Sequence, residues 1–254
     1  MKVRLDKLLV ERALVPSRER AQALILAGRV LVNGQKIEKA GANVEPEVAI
    51  RLLGDSLRYV GRGGLKLERA LEHWKIDVSG RTCMDVGAST GGFTDCFLQH
   101  GAAQVIAVDT GFGQIDARLR ADVRVHLLER TNARYLTREQ VEQVSHEPLL
   151  PEVAAMDVSF ISATLVLPAL VAVLKASAAE RKQLVVLVKP QFEVGRGRVG
   201  KGGIVRDSAA QQAAVLKVKE CLAELGAHSL DVTESPVLGA EGNREFLLYS
   251  ELSL

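Results

Sequence analysis

The sequence predicts an α/β chain in which a mostly parallel seven-stranded sheet, covered by helices on both faces, follows a small α+β module. Three observations carry that prediction. Short apolar runs alternate with helix-like stretches from about residue 80 onward, the pattern of parallel strands joined by crossover helices. The last two runs, 228–234 and 245–249, are close enough to pair as an antiparallel hairpin. The first 60 residues follow another logic, with two short helices, an Asn-Gly turn and short strands.

In the N-terminal module, predicted to span residues 1–60, Leu5, Leu8, Leu9 and Leu14 recur at helical spacing. After Pro16, the Ser17 side chain can cap a second helix running to about Ala27, which Gly28 stops. Residues 29–37 read as a strand, an Asn33-Gly34 turn and a return strand, and residues 48–52 as a further strand. The polar, glycine-rich stretch 54–64 reads as the linker into the second domain, residues 61–254, whose first helix runs from Leu65 to Trp74. Strands are then expected near 82–86, 104–108, 123–127, 152–157 and 184–189. Helices are expected near 91–100, 113–120, 137–144, 162–175 and 207–225.

Composition bounds the function. The chain has 254 residues, 47% of them hydrophobic, enough for a large domain plus a small one. Residues 1–70 hold 14 Lys/Arg against 8 Asp/Glu, while the whole chain carries only +2, so the basic charge is concentrated at the N-terminal end. Arg4, Lys7, Arg12, Arg18, Arg20 and Arg29 are interleaved with the apolar positions there. Such a face suits the phosphates of folded RNA, and it is equally what a solvated basic surface looks like. Cys83, Cys96 and Cys221 are widely spaced without a His cluster, so neither a disulfide framework nor a metal site is expected, and a reducing cytoplasm is. The charged N-terminus and the short apolar runs predict no export signal and no membrane span.

The chemistry centres on residues 82–94, Thr-Cys-Met-Asp-Val-Gly-Ala-Ser-Thr-Gly-Gly-Phe-Thr. A strand, a glycine-dense turn, a helix and a second strand ending at Asp109 make a βαβ unit that can take a nucleotide-like cofactor against bare backbone. The turn lacks the Gly-x-Gly-x-x-Gly spacing that seats a pyrophosphate. Its Ser89 and Thr90 hydroxyls suit an amino acid's ammonium and carboxylate, which favours S-adenosylmethionine over NAD. Candidate cofactor contacts are Asp85, Gly87, Ser89, Thr90, Gly91, Gly92 and Asp109, whose carboxylate can accept ribose hydroxyls. Thr131 and Asn132, which follow the third strand, are further candidates, although a turn and helix cap would look alike. Residues 195–201 satisfy Gly-x-x-x-x-Gly-Lys, but Gly202 stands where a magnesium-binding hydroxyl is needed, so ATP hydrolysis is not expected and a mobile loop contacting RNA is.

Asp157 ends the fourth strand, Lys189 ends the fifth, Glu245 begins the last, and Lys66 lies on the helix before the first. Taken singly, each reads equally as a cap or a surface charge. In an open α/β sheet ligands sit outside the carboxyl ends of the strands, so topology can bring the four together.

The stretches Arg62-Gly-Gly-Leu-Lys66-Leu, Met156-Asp-Val-Ser-Phe-Ile-Ser162, Val188-Lys-Pro-Gln-Phe-Glu193 and Gly242-Asn-Arg-Glu-Phe246 resemble the FtsJ-like ribose methyltransferases of the TlyA (hemolysin A) branch, over nearly the whole chain. Arg4-Leu-Asp-Lys-Leu-Leu, Ser17-Arg-Glu-Arg-Ala and Gly28-Arg-Val-Leu-Val-Asn-Gly resemble the RNA-binding domain named after ribosomal protein S-four. The resemblance implies a Rossmann-like methyltransferase fold and 2′-O-methylation of ribose, with cytidine the usual target, in ribosomal RNA within assembled or assembling subunits. It further implies Lys66, Asp157, Lys189 and Glu245 as a catalytic tetrad; since a ribose hydroxyl is a very weak acid, a lysine beside it suits orienting it and taking up its proton, a role expected of Lys189 with Asp157 balancing it. RNA contacts are expected from Arg4, Lys7, Arg18, Arg20 and Arg29, and one chain, as a monomer, should hold a complete site. Competing readings are a non-catalytic ribosome-assembly factor and a membrane-lytic protein; the latter lacks an amphipathic basic helix of the needed length.

Overall fold

The computed structural model describes residues 2–252 except Ala13, Pro16, Ala27, Ala40 and residues 54–57, 146–148, 240 and 241. Pro16 and Ala27 of the second-helix reading, and 54–57 of the linker reading, lie outside the described residues. The chain divides into two compact units, Met1–Arg58 and Tyr59–Leu254.

In the first unit, β1 (Val3–Arg4) leads into α1 (Leu5–Glu11), and α2 (Arg18–Leu26) packs beside it. Ser17 Oγ accepts the Arg20 backbone N–H at 3.3 Å, as a helix cap does. β2 (Val30–Val32) pairs with β3 (Gln35–Ile37) through a turn in which Asn33 and Gly34 both take positive φ, the geometry that makes Asn-Gly a hairpin turn. β4 (Asn43–Val44) pairs with β1, and β5 (Ile50–Leu52) with β2. Leu5, Leu8, Leu9, Ala21, Ile25 and Val30 form the core. Leu14 departs from the expectation: α1 ends at Glu11, and Leu14 is 39% exposed.

The second unit opens with α3 (Gly63–Trp74), then alternates β6 (Thr82–Val86), α4 (Gly92–Gln99), β7 (Gln104–Val108), α5 (Ala117–Arg120), β8 (Val125–Leu128), α6 (Arg138–Glu142), β9 (Val153–Met156), α7 (Leu167–Lys175) and β10 (Lys182–Val188). α8 (Pro190–Glu193), α9 (Ser208–Glu224), β11 (Ala227–Glu234) and β12 (Phe246–Leu252) complete it. The seven strands lie in the order β11-β12-β10-β9-β6-β7-β8, all parallel except β12, which runs antiparallel to both neighbours. Side chains alternate along the strands between two cores: Met84, Ile106, Met156 and Val186 face α7 and α9, while Cys83, Val105, Ala155 and Leu187 face α3 and α4.

Element boundaries differ from expectation for local reasons. The stretch 162–175 splits into a 3-10 turn, Ala163–Leu165, and α7, because Pro168 lacks an N–H and is tolerated only in a helix's first turn. α5 is four residues long, and β8 starts at Val125 because Val123 is 90% exposed in the preceding loop. Successive strands step outward from β6 in one direction through β7 and β8, and in the other through β9 and β10. The reversal between β6 and β9 opens a crevice at their carboxyl ends.

Candidate active site

Gly87 and Asp157, the first residues after β6 and β9, meet at that crevice. Gly87 has φ +88°, and a Cβ there would stand 2.4 Å from the Asp157 carbonyl oxygen, so only glycine allows the two strand ends to approach this closely. Behind it, Asp85 is 1% exposed; its Oδ2 accepts the Thr94 N–H at 2.8 Å and the Thr94 hydroxyl at 2.7 Å. Its Oδ1 is buried and has no hydrogen-bond partner among the described residues. Burial, only partly offset by the Thr94 bonds, pushes the carboxyl up to about 7.

Two cavities adjoin these residues. The larger, about 340 Å³, is lined by Gly87, Ser89, Asp109, Gln114, Thr131, Asn132, Asp157 and the Val158–Ile161 segment. Asp109 accepts the Ser89 N–H at 2.8 Å and the Gly111 N–H at 2.6 Å, which holds its carboxylate at the rim. The smaller, about 140 Å³, is lined by Gly61, Arg62, Gly63, Asp85, Ser89, Thr90, Gly92 and Asp157. Gly91 differs from its neighbours: it is the αL cap before α4, and its Cα faces Leu119 and Ile115, so its part is in packing. Asn132 caps a 3-10 turn through the Arg134 N–H while also lining the larger cavity, so the two readings of that position coexist.

The four ionisable residues converge on the same edge. The antiparallel register Val188↔Phe246 sets Lys189 and Glu245 at adjacent strand ends, and the first turn of α3 brings Lys66 across. Lys66 Nζ lies 2.6 Å from Glu245 Oε2 and 3.9 Å from Asp157 Oδ2; Lys189 Nζ lies 2.6 Å from Asp157 Oδ1 and donates to Ser159 Oγ at 2.7 Å. All four are largely buried, and Glu245 almost completely. Gly239 makes room for it, since a Cβ there would meet Glu245 Oε1 at 2.1 Å. Two ammonium groups against two carboxylates neutralise one another, which is the condition for holding four charges out of water.

Sequence reasoning passed over the groups around this cluster. Phe160 takes φ +66° and is 92% exposed, its ring 5.4 Å from that of Phe192. A non-glycine residue in that conformation, presenting an aromatic to solvent at a cavity mouth, is backbone strain at a candidate site. Asn243 donates to the Gly203 carbonyl and accepts the Val205 N–H, fastening the end of the glycine- and arginine-rich loop. That loop follows α8 through the 3-10 turns Arg196–Arg198 and Lys201–Gly203, so it lacks the strand-to-helix setting of a phosphate-binding loop.

In the first unit all the basic candidates are exposed, and three of them also make local contacts. Arg4 and Arg18 both pair with Asp6, which is fully buried, and Arg12 donates to the Val48 and Pro46 carbonyls.

A mostly parallel seven-stranded sheet with an antiparallel penultimate strand, a glycine turn beside a crevice and lysine–carboxylate pairs at its mouth define a Rossmann-like methyltransferase. The chain belongs to the FtsJ-like methyltransferase family, which matches residues 59–252, and carries an S4 domain over residues 3–50. It is 45% identical over 98% of its length, and 89% of the relative's, to the 16S/23S rRNA (cytidine-2′-O)-methyltransferase TlyA of Mycobacterium tuberculosis. To Hemolysin A of Brachyspira hyodysenteriae it is 38% identical, covering 97% of this chain and 99% of that one. A solved structure from Streptococcus thermophilus, named for hemolysin, superposes with a TM-score of 0.76 at 40% identity, over 99% of this chain and 89% of that one. An S-adenosylmethionine-dependent methyltransferase from Mesorhizobium loti shares the fold at 18% identity and a TM-score of 0.51, over 75% of this chain and 99% of that one.

Proposed function

We propose that this chain methylates the ribose 2′-hydroxyl of a cytidine in ribosomal RNA, with S-adenosylmethionine as methyl donor. The observation that carries the reading is the double lysine–carboxylate pair that meets at Asp157, which lines both cavities. The domains proposed are residues 1–60 for RNA binding and 61–254 for methyl transfer, in a monomer working in the cytoplasm on assembled or assembling subunits.

The residues fit the cofactor. Asp85 offers a buried carboxylate oxygen without a partner to an ammonium, and Ser89, Thr90 and the bare backbone near Gly61 can take a carboxylate. Asp109 has lone pairs left for ribose hydroxyls, with Thr131 and Asn132 further along the larger cavity. When bound, S-adenosylmethionine supplies an electrophilic methyl on a sulfonium whose departure as a neutral thioether calls for no metal. Lys189 Nζ, held between Asp157 and Ser159, orients the ribose hydroxyl; as the neutral amine, after passing a proton to solvent, it accepts the hydroxyl's proton, and Asp157 stabilises the resulting ammonium. The Lys66–Glu245 pair braces Asp157 from the other side and positions the ribose. Alignment of the hydroxyl with the methyl can supply about 7–11 kcal/mol of the rate enhancement. Phe160 offers a stacking face to a nucleobase removed from its helix. Lys7, Arg20 and Arg29 supply phosphate contacts.

The test is transfer of radiolabelled methyl from S-adenosylmethionine to unmodified ribosomal subunits and to naked ribosomal RNA. Label in 2′-O-methylcytidine that is lost in Lys189→Ala supports the reading; no transfer to either acceptor, with cofactor bound, refutes it in favour of an assembly factor.

A further inference from the structure

Two segments carry the reactive side of the site: the loop after β9, which holds Asp157, and the segment after β10, which begins with Lys189. Four contacts run between them in order. They are the Asp157–Lys189 ion pair, the Lys189–Ser159 hydrogen bond, the Phe160–Phe192 ring contact, and a cluster around Glu193. The first three involve groups that line or face the cavity. The fourth stands behind it.

Glu193 is 8% exposed, yet each of its oxygens is engaged. Oε1 accepts the Ala163 N–H at 2.6 Å; Oε2 accepts the Ser162 hydroxyl at 2.5 Å and the Lys217 ammonium at 3.1 Å. Lys217, from α9, also reaches Ser162 Oγ and the Glu193 carbonyl oxygen, each at 3.2 Å. A buried carboxylate is costly unless its charge is paired and its lone pairs filled, and here both conditions are met by partners from two other elements. The 3-10 turn that starts at Ala163 offers an unpaired N–H for it to take, since no side chain of its own caps it. Nothing about this cluster touches the reacting atoms.

We infer that Glu193 is a positioning residue for methyl transfer: by fastening the Ser162–Ala163 backbone to α8, it fixes the separation of Asp157 and Lys189 and the strained conformation of Phe160. This rests on the proposed 2′-O-methyltransferase reading. Asp157 and Ser162 are five residues apart on one segment, Lys189 and Glu193 four apart on the other, so the two linked ends form a short closed frame. Removing one end lets the other shift, and a displacement of about 1 Å at a reacting group costs on the order of a hundredfold in rate.

The experiment compares wild type, Glu193→Ala, Glu193→Gln and Ser162→Ala in single-turnover methyl transfer at saturating S-adenosylmethionine and RNA across a pH series, with cofactor dissociation constants from calorimetry. Glu193→Ala should lower the rate about 10- to 100-fold and move the midpoint of its pH profile, while cofactor affinity stays within about threefold. Glu193→Gln, which can still accept from Ala163 N–H and donate to Ser162 Oγ, should recover most of the rate and the wild-type midpoint. Should Glu193→Ala fail to fold, Ser162→Ala, which keeps the Ala163 bond, should still show a several-fold rate loss with the same direction of midpoint shift. Wild-type rate and pH profile in folded Glu193→Ala overturn the inference, as does a rate loss in both Glu193 variants matched by an equal loss of cofactor affinity. Absence of transfer by wild type itself would instead refute the methyltransferase reading, a separate result.

Discussion

Each unit of this protein contains a carboxylate bracketed by two basic side chains, and the two clusters do opposite things. Asp6 is fully buried and receives Arg4, Arg18, the Gln22 amide and the Lys7 backbone N–H. Asp157 sits between Lys189 and Lys66 but borders a cavity. Guanidinium groups stay charged at any working pH and bind in a fixed fork, so the Asp6 cluster holds structure together and moves no proton. An ammonium is a point charge that can give up and regain a proton, so lysines around Asp157 allow chemistry as well as charge balance.

The strongest way to break this contrast is to delete one lysine or carboxylate from the second cluster. Lys189→Ala should lower methyl transfer by about 10²–10⁴-fold with the fold intact, measured by single-turnover kinetics and circular dichroism. An arginine in its place would keep the charge, and Lys189→Arg should be nearly as inactive, because it cannot take up the proton.

Next in size, Asp6→Asn should destabilise the first unit by about 2 kcal/mol through loss of charge-assisted hydrogen bonds, read by thermal unfolding, and leave the chemical step of bound RNA unchanged. The Arg4 guanidinium, then Gln22 and Arg18, hold the Asp6 carboxyl well below the usual carboxylate range. Its contribution is therefore complete above about pH 4 and is lost as pH falls further toward the native value. Asp85 has the opposite sign. With its carboxyl pushed up to about 7, the native state binds more protons than the unfolded chain between about pH 4 and pH 7, so stability falls as pH rises through that window. A cofactor ammonium favours the ionised form, so S-adenosylmethionine affinity should rise about tenfold from pH 6 to pH 8, and Asp85→Asn should flatten that dependence in calorimetry.

The smallest effects belong to the exposed cations that Asp6 does not hold. Lys7→Ala, Arg20→Ala and Arg29→Ala should each weaken RNA binding a few-fold and reduce the salt slope by about 1, whereas Arg4→Ala and Arg18→Ala should act mainly on thermal stability.

The fold was legible because its signals are local. Strand and helix periods, the Asn33-Gly34 turn and the glycine-dense turn after β6 are all written within a few neighbouring residues. One boundary moved where a single residue, Pro168, overrode a longer pattern. The basic face was less legible: no spacing rule shows that Asp6, buried beside them, engages Arg4 and Arg18 while both side chains stay exposed. Glu193 was invisible for the same reason, its partners lying about 24 to 31 positions away.

By itself, then, the sequence determined the order of strands and helices, the glycine-dense turn after the first strand of the second unit and, through whole-chain resemblance, which four ionisable residues to look for. Only the tertiary structure decided their pairing distances and which surrounding groups hold them. Lys66 and Glu245 stand 179 residues apart in the chain and 2.6 Å apart in space. That approach depends on the antiparallel register of β12 against β10 and on the close passage of Gly87 past Asp157. Charges at such separation interact through geometry that hydrophobic burial of the sheet imposes, and no local pattern encodes it.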